Sequence, residues 1–98
     1  MEQYAVHRLK ERDGLFLVLQ YPGLEATNTV VVAPLLPVGQ LPDIPVLTPE
    51  IGFDGERFSL LTYRLAAIDV RHLGTRMGAL EGQEYEISRA LSRLFFGN

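Results

Sequence analysis

Residues 15–21, Leu-Phe-Leu-Val-Leu-Gln-Tyr, place apolar side chains on both faces of an extended chain. Leu15, Leu17 and Leu19 share one face; Phe16 and Val18 share the other. Water cannot be left on either side of such a strand, so it belongs in the middle of a sheet that is covered twice. With 98 residues there is room for one core only, so the covering layers must come from the same short chain or from a second copy of it.

The neighbouring segments supply strands to surround it. Residues 3–10 alternate, with Tyr4 and Val6 on one face and Ala5, His7 and Leu9 on the other. Glu11-Arg12-Asp13-Gly14 reads as the turn of a hairpin, and Pro22-Gly23 ends the central strand. Residues 29–35 are rich in valine and predict a third strand. Residues 36–49 carry Pro37, Pro42, Pro45 and Pro49, which excludes a long ladder, yet their apolar residues must pack somewhere. Residues 51–53 and 57–63 flank Asp54-Gly55, a strong hairpin signal, and residues 65–70 predict a last strand.

The period then changes. Ile87, Leu91, Leu94 and Phe95 recur at helical spacing and predict one apolar stripe on a helix over about 82–96. Glu81, Glu84 and Glu86 lie toward its start, Arg89 and Arg93 toward its end, and Gly97 occupies the C-cap region, all favourable for a helix. With Ile87 at zero and a step of about 100°, Phe96 falls near 180°, opposite the stripe. It therefore reads as an anchor for a partner. The expected fold is a single domain over residues 1–98, mainly β, with about six short antiparallel strands within 3–70 curling into a small barrel and one C-terminal helix.

Chemistry is sparse. The net charge of −3 argues against a general nucleic-acid binder, and the lack of cysteine excludes disulfides and thiolate sites. His7 and His72 have no metal-ligand spacing. Asp69 and Arg71 read as a local ion pair, Asp54 and Glu56 as turn residues, and Ser59, Ser88 and Ser92 sit in no nucleophile motif. No phosphate-binding glycine motif is present, so neither a metal nor a cofactor is expected. The first residues lack a signal-peptide core and no apolar run is long enough for a membrane span, so the expectation is a cytoplasmic protein.

The hairpin, VVVAPL at 30–35, the stretch at 47–68 and the helix at 87–97 that closes on Leu-Phe-Phe-Gly together resemble the CcdB family of toxins. The resemblance implies a small SH3-like β-barrel with a C-terminal helix, an architecture shared with Kid and MazF. It implies a bacterial, cytoplasmic homodimer that binds the A subunit of DNA gyrase and traps the cleaved gyrase–DNA complex. It implies a CcdA-like antitoxin that neutralises the toxin, with operator DNA and autoregulation reached only through that antitoxin, and plasmid maintenance as the role such pairs serve. The family's gyrase contact is a terminal Trp-Gly-Ile, which falls here on Phe96, Gly97 and Asn98. The antitoxin-binding residues stay unknown. Two other functions fit the same fold: an mRNA-cleaving ribonuclease, for which Arg71, His72 and Arg76 are the available groups, and a non-toxic homologue that only binds antitoxin. From its size and the outward Phe96, the chain is expected to scatter light as a dimer at micromolar concentration, with about twice the chain mass; a stable monomer would contradict this.

Overall fold

The computed structural model describes residues 2–21, 23 and 27–98. Its strands are β1 (Ala5–Leu9), β2 (Arg12–Val18), β3 (Thr29–Pro37), β4 (Glu50–Phe53), β5 (Glu56–Leu60), β6 (Ala66–Asp69) and β7 (Leu73–Ala79), and α1 (Glu84–Phe96) follows. All pairs are antiparallel, in the order β4-β5-β3-β2-β1-β7, with β6 also paired to β3. The sheet is curled and mainly β with a C-terminal helix, as expected.

The doubly apolar β2 sits between β1 and β3. Leu17 and Leu19 enter a core with Val6, Ala33, Leu35, Ile51, Phe58, Leu60, Leu80 and Ile87 of α1. Phe16 and Val18 enter a second cluster on the other face with Leu9, Val30 and Val32. Ile68 and Leu73 pack against that cluster, so β6 and β7 supply the second cover.

β3 holds the sheet together by changing partners along one edge. Val32 pairs with Ala66 of β6, and Leu35 pairs with Leu60 of β5. Pro34 stands at the change, where no ladder donor is required of it, and its carbonyl accepts from Leu61 N–H at 3.0 Å.

Several expectations need correction. The first hairpin turns at Lys10-Glu11, and Arg12-Asp13-Gly14 belong to β2. His7 faces Phe16 while Leu9 faces Arg12, so β2 carries a bulge, and Gly14 with φ +98° occupies it. The strand expected over 57–63 ends at Leu60, and a 3-10 turn occupies Thr62–Arg64. A seventh strand, β7, follows the one expected to be last. Its sequence, Leu-Gly-Thr-Arg-Met-Gly-Ala, lacks a clean apolar alternation because its glycines serve close approach. A Cβ on Gly74 would lie 2.9 Å from the Arg8 carbonyl oxygen, and one on Gly78 would lie 2.9 Å from the Phe53 ring. Of the Pro22-Gly23 stop, Pro22 lies outside the described residues.

The proline-rich segment packs as irregular chain. Thr62 is fully buried and its hydroxyl donates to the Leu47 carbonyl, while the Thr48 hydroxyl accepts from Ile44 N–H at 2.9 Å. Between them Val46 is held at φ +70°, a conformation that a β-branched residue rarely adopts.

The curled sheet brings its ends together without a ladder. The Phe53 ring of β4 covers Gly78 of β7. Gln83, the residue before α1, grips the backbone of Gly52: its Oε1 accepts from Gly52 N–H at 2.9 Å and its Nε2 donates to Gly52 C=O at 3.0 Å. The carboxamide thereby copies the exchange that a neighbouring strand would make. Truncation of Gln83 to alanine should therefore cost about 1–3 kcal/mol in a denaturant titration, whereas Glu81→Ala, at an exposed neighbour, should stay within about 0.5 kcal/mol.

Candidate functional site

The buried face of α1 is centred on Ile87 and Ala90, both fully buried, with Leu91 and Leu94 half-buried beside them. Alanine carries little weight in a search for an apolar stripe, so its position was not legible. Including Ala90, at about 300° on the wheel, turns the face away from Phe95, at about 80°. Phe95 is accordingly 60% exposed, which corrects its expected place in the core. Phe96 is 77% exposed, so its expected outward position holds.

The last turn therefore presents two adjacent aromatic rings, with centroids 6.5 Å apart and planes tilted by 55°. Gly97 adopts φ +75° and its N–H donates to the Arg93 carbonyl at 3.0 Å. This left-handed cap ends the helix cleanly and fixes where the chain leaves it. Asn98 is exposed beyond the cap. Alongside, Leu19, Tyr21, Val31, Leu65, Leu91 and Phe95, with Gln20, line a mostly apolar depression. Tyr21, 73% exposed, joins this surface from the segment that follows the central strand β2. Its place there could have been read from an aromatic that ends an otherwise buried run. The structure thus brings Phe96, Gly97 and Asn98 together in an exposed terminus with an apolar neighbour. That arrangement can bind an apolar or cationic protein surface.

The remaining candidates lie elsewhere. Asp69 caps the short 3-10 turn Val70–His72 through Arg71 N–H at 2.8 Å and holds the Arg71 guanidinium through two more hydrogen bonds. The Arg71 side chain and backbone donors lower the Asp69 pKa from 3.8 to about 2. Arg76 is paired with Glu2 at 2.6 Å. The Nδ1 of His7 lies 3.1 Å from the Gly74 carbonyl, and His72 is exposed. Two of the three groups available for RNA cleavage are thus engaged by carboxylates. Among the described residues no group of His, Asp and Glu is arranged to hold a metal ion. Among the described residues no helix is long and apolar enough to cross a membrane.

Residues 3–97 match the family described as CcdB protein. No curated protein matches the chain by sequence. Among solved structures it is similar to an endoribonuclease in complex with its cognate antitoxin from a mycobacterial species, at 17% identity and TM-score 0.77, covering 92% of this chain and 89% of that one. A likeness at this identity establishes a shared fold.

Two measurements check the geometry. Phe96→Ala should change the folding free energy by no more than about 0.5 kcal/mol, and Phe95→Ala should fall short of the roughly 3–5 kcal/mol of a buried ring. In an NMR titration the Asp69 carboxyl should titrate near the folded value of about 2, below its ordinary 3.8. Because that pKa is depressed on folding, the contribution of Asp69 is present above 3.8 and is lost as the pH falls through about 2.

Proposed function

The chain belongs to the CcdB family, and from that premise we propose that it is the toxin of a toxin–antitoxin pair, acting on the A subunit of DNA gyrase by binding. The observation that carries this reading is the exposed aromatic terminus, Phe96-Gly97-Asn98, at the place where the family resemblance puts the gyrase contact. A planar ring can stack on a guanidinium or an apolar side chain of the target. Phenylalanine does so with less π-surface than tryptophan and without an indole donor, and Asn98 substitutes an amide for an aliphatic contact. Binding in this way would trap the cleaved gyrase–DNA complex without any bond being made by the toxin. The working form is a cytoplasmic homodimer. A cognate antitoxin neutralises it, and the pair represses its own operon.

A second reading, RNA cleavage, is favoured by the shared fold with an endoribonuclease toxin. It needs a set of acid, base and phosphate-binding groups. The engagement of Arg71 by Asp69 and of Arg76 by Glu2 weighs against it.

A supercoiling assay with purified protein decides between them. The chain should inhibit gyrase and leave RNA intact. Phe96→Ala should weaken inhibition by about 30-fold, the loss of an anchor of about 2 kcal/mol, while melting like the parent. Cleavage of RNA that His72→Ala abolishes, with gyrase unaffected, would establish the ribonuclease instead.

A further inference from the structure

β4 and β7 end the main path of the sheet, and each pairs with a strand on one side only. An uncovered edge offers its N–H and C=O groups to any other strand. β7 is a poor template, because its pairing with β1 shifts register twice, between Val6 and His7 and between His7 and Leu9. β4 is regular: it pairs with β5 from Glu50↔Ser59 to Phe53↔Glu56 without a shift. Along an antiparallel strand, successive residues turn their backbone groups to alternate sides. Gly52 turns its pair away from β5, to Gln83, and Glu50, two residues earlier, faces the same way.

This edge is self-complementary. Two β4 strands set antiparallel about Ile51 would place Glu50 of each opposite Gly52 of the other, and both pairs could exchange two N–H···O=C bonds. The side chains fit the same register. Arg57 overhangs Gly52: its Nη1 would stand 2.8 Å from a Cβ there, and its Nε donates to Glu50 Oε2 at 2.7 Å. In the paired arrangement each Glu50 would meet the Arg57 of the second copy. That charge match selects a second copy of this chain over an unrelated strand.

Gln83 stands in the way. It occupies the N-cap of α1, yet its side chain caps no helix N–H. A serine or aspartate would serve the helix better at that position. A glutamine is long enough to reach the sheet edge, and its carboxamide carries both a donor and an acceptor. Both are used on Gly52.

We propose that the Gln83 carboxamide is an autoinhibitory contact: by holding both outward groups of Gly52, it prevents two copies of the chain from joining their sheets at β4. In the homodimer proposed above, a second two-fold contact at β4 would link dimers into open chains. Gln83 stops that growth, whichever target the protein acts on.

The test is sedimentation velocity of the full chain over a range of concentrations. Gln83→Ala should exceed the wild-type mass, with the excess growing with concentration, and should do so at least about tenfold below any concentration at which the wild type associates further. Gln83→Lys loses the same two hydrogen bonds but puts a charge at the edge, and should keep the wild-type mass. In the Gln83→Ala background, Glu50→Lys should abolish the association, because like charges would then face each other across the two-fold, and adding Arg57→Glu should restore it. Should Gln83→Ala melt early, Gln83→Met keeps the stem of the side chain and should show the same excess mass. Wild-type mass for both Gln83→Ala and Gln83→Met overturns the proposal. So does equal association of Gln83→Ala and Gln83→Lys, which would mark a loosened fold and not an uncovered edge. Association that Glu50→Lys leaves unchanged overturns it as well, since the contact would then lie elsewhere.

Discussion

Val32 is the last residue of β3 paired with β6, Leu35 is the first paired with β5, and Pro34 stands between them. A strand normally has one neighbour on each edge. Here the missing N–H of proline releases the ladder, so that a single edge of β3 serves two strands in succession. The other edge pairs with β2 from Val32 to Leu35. Everything else hangs from this arrangement. β6 turns over the Phe16–Val18 face, β5 carries β4 toward the opposite end of the sheet, and β2 lies between two cores.

Much of this was legible because it rests on side-chain period. The two-faced apolarity of residues 15–21 identified the central strand, Asp54-Gly55 identified the β4–β5 turn, and the helical spacing from Ile87 identified α1. What escaped depends on backbone proximity. β7 was missed since Gly74 and Gly78 are there to let the Arg8 carbonyl and the Phe53 ring approach, and a glycine has no polarity to alternate. The place of the first turn was obscured by the bulge at Gly14. Val46 gave no hint of a positive φ, which is imposed by the hydrogen bonds on either side of it and costs about 1–3 kcal/mol. On α1 the exposure of Phe96 follows from the helical phase and that of Phe95 does not, because the small Ala90, invisible to a hydrophobic stripe, sets the rotation of the helix.

Two surfaces differ in physical character. The aromatic terminus is apolar, with two adjacent exposed rings. A groove on the other side of the sheet has Phe16, Val32 and Pro34 in its lining, and the Arg12 guanidinium lies over the Phe16 ring.

Gln83 ties these properties to motion. Its carboxamide holds Gly52, on the edge strand β4, and it is also the residue from which α1 departs. Lifting the helix would pull that amide from the sheet edge, beside the place where Phe53 covers Gly78. Seam and helix therefore form one cooperative unit in the sense of local unfolding. The exchange of the Gly52 amide proton reports directly on how often the helix that displays Phe96 detaches, and a partner that clamps the helix should slow that exchange at a residue it never touches.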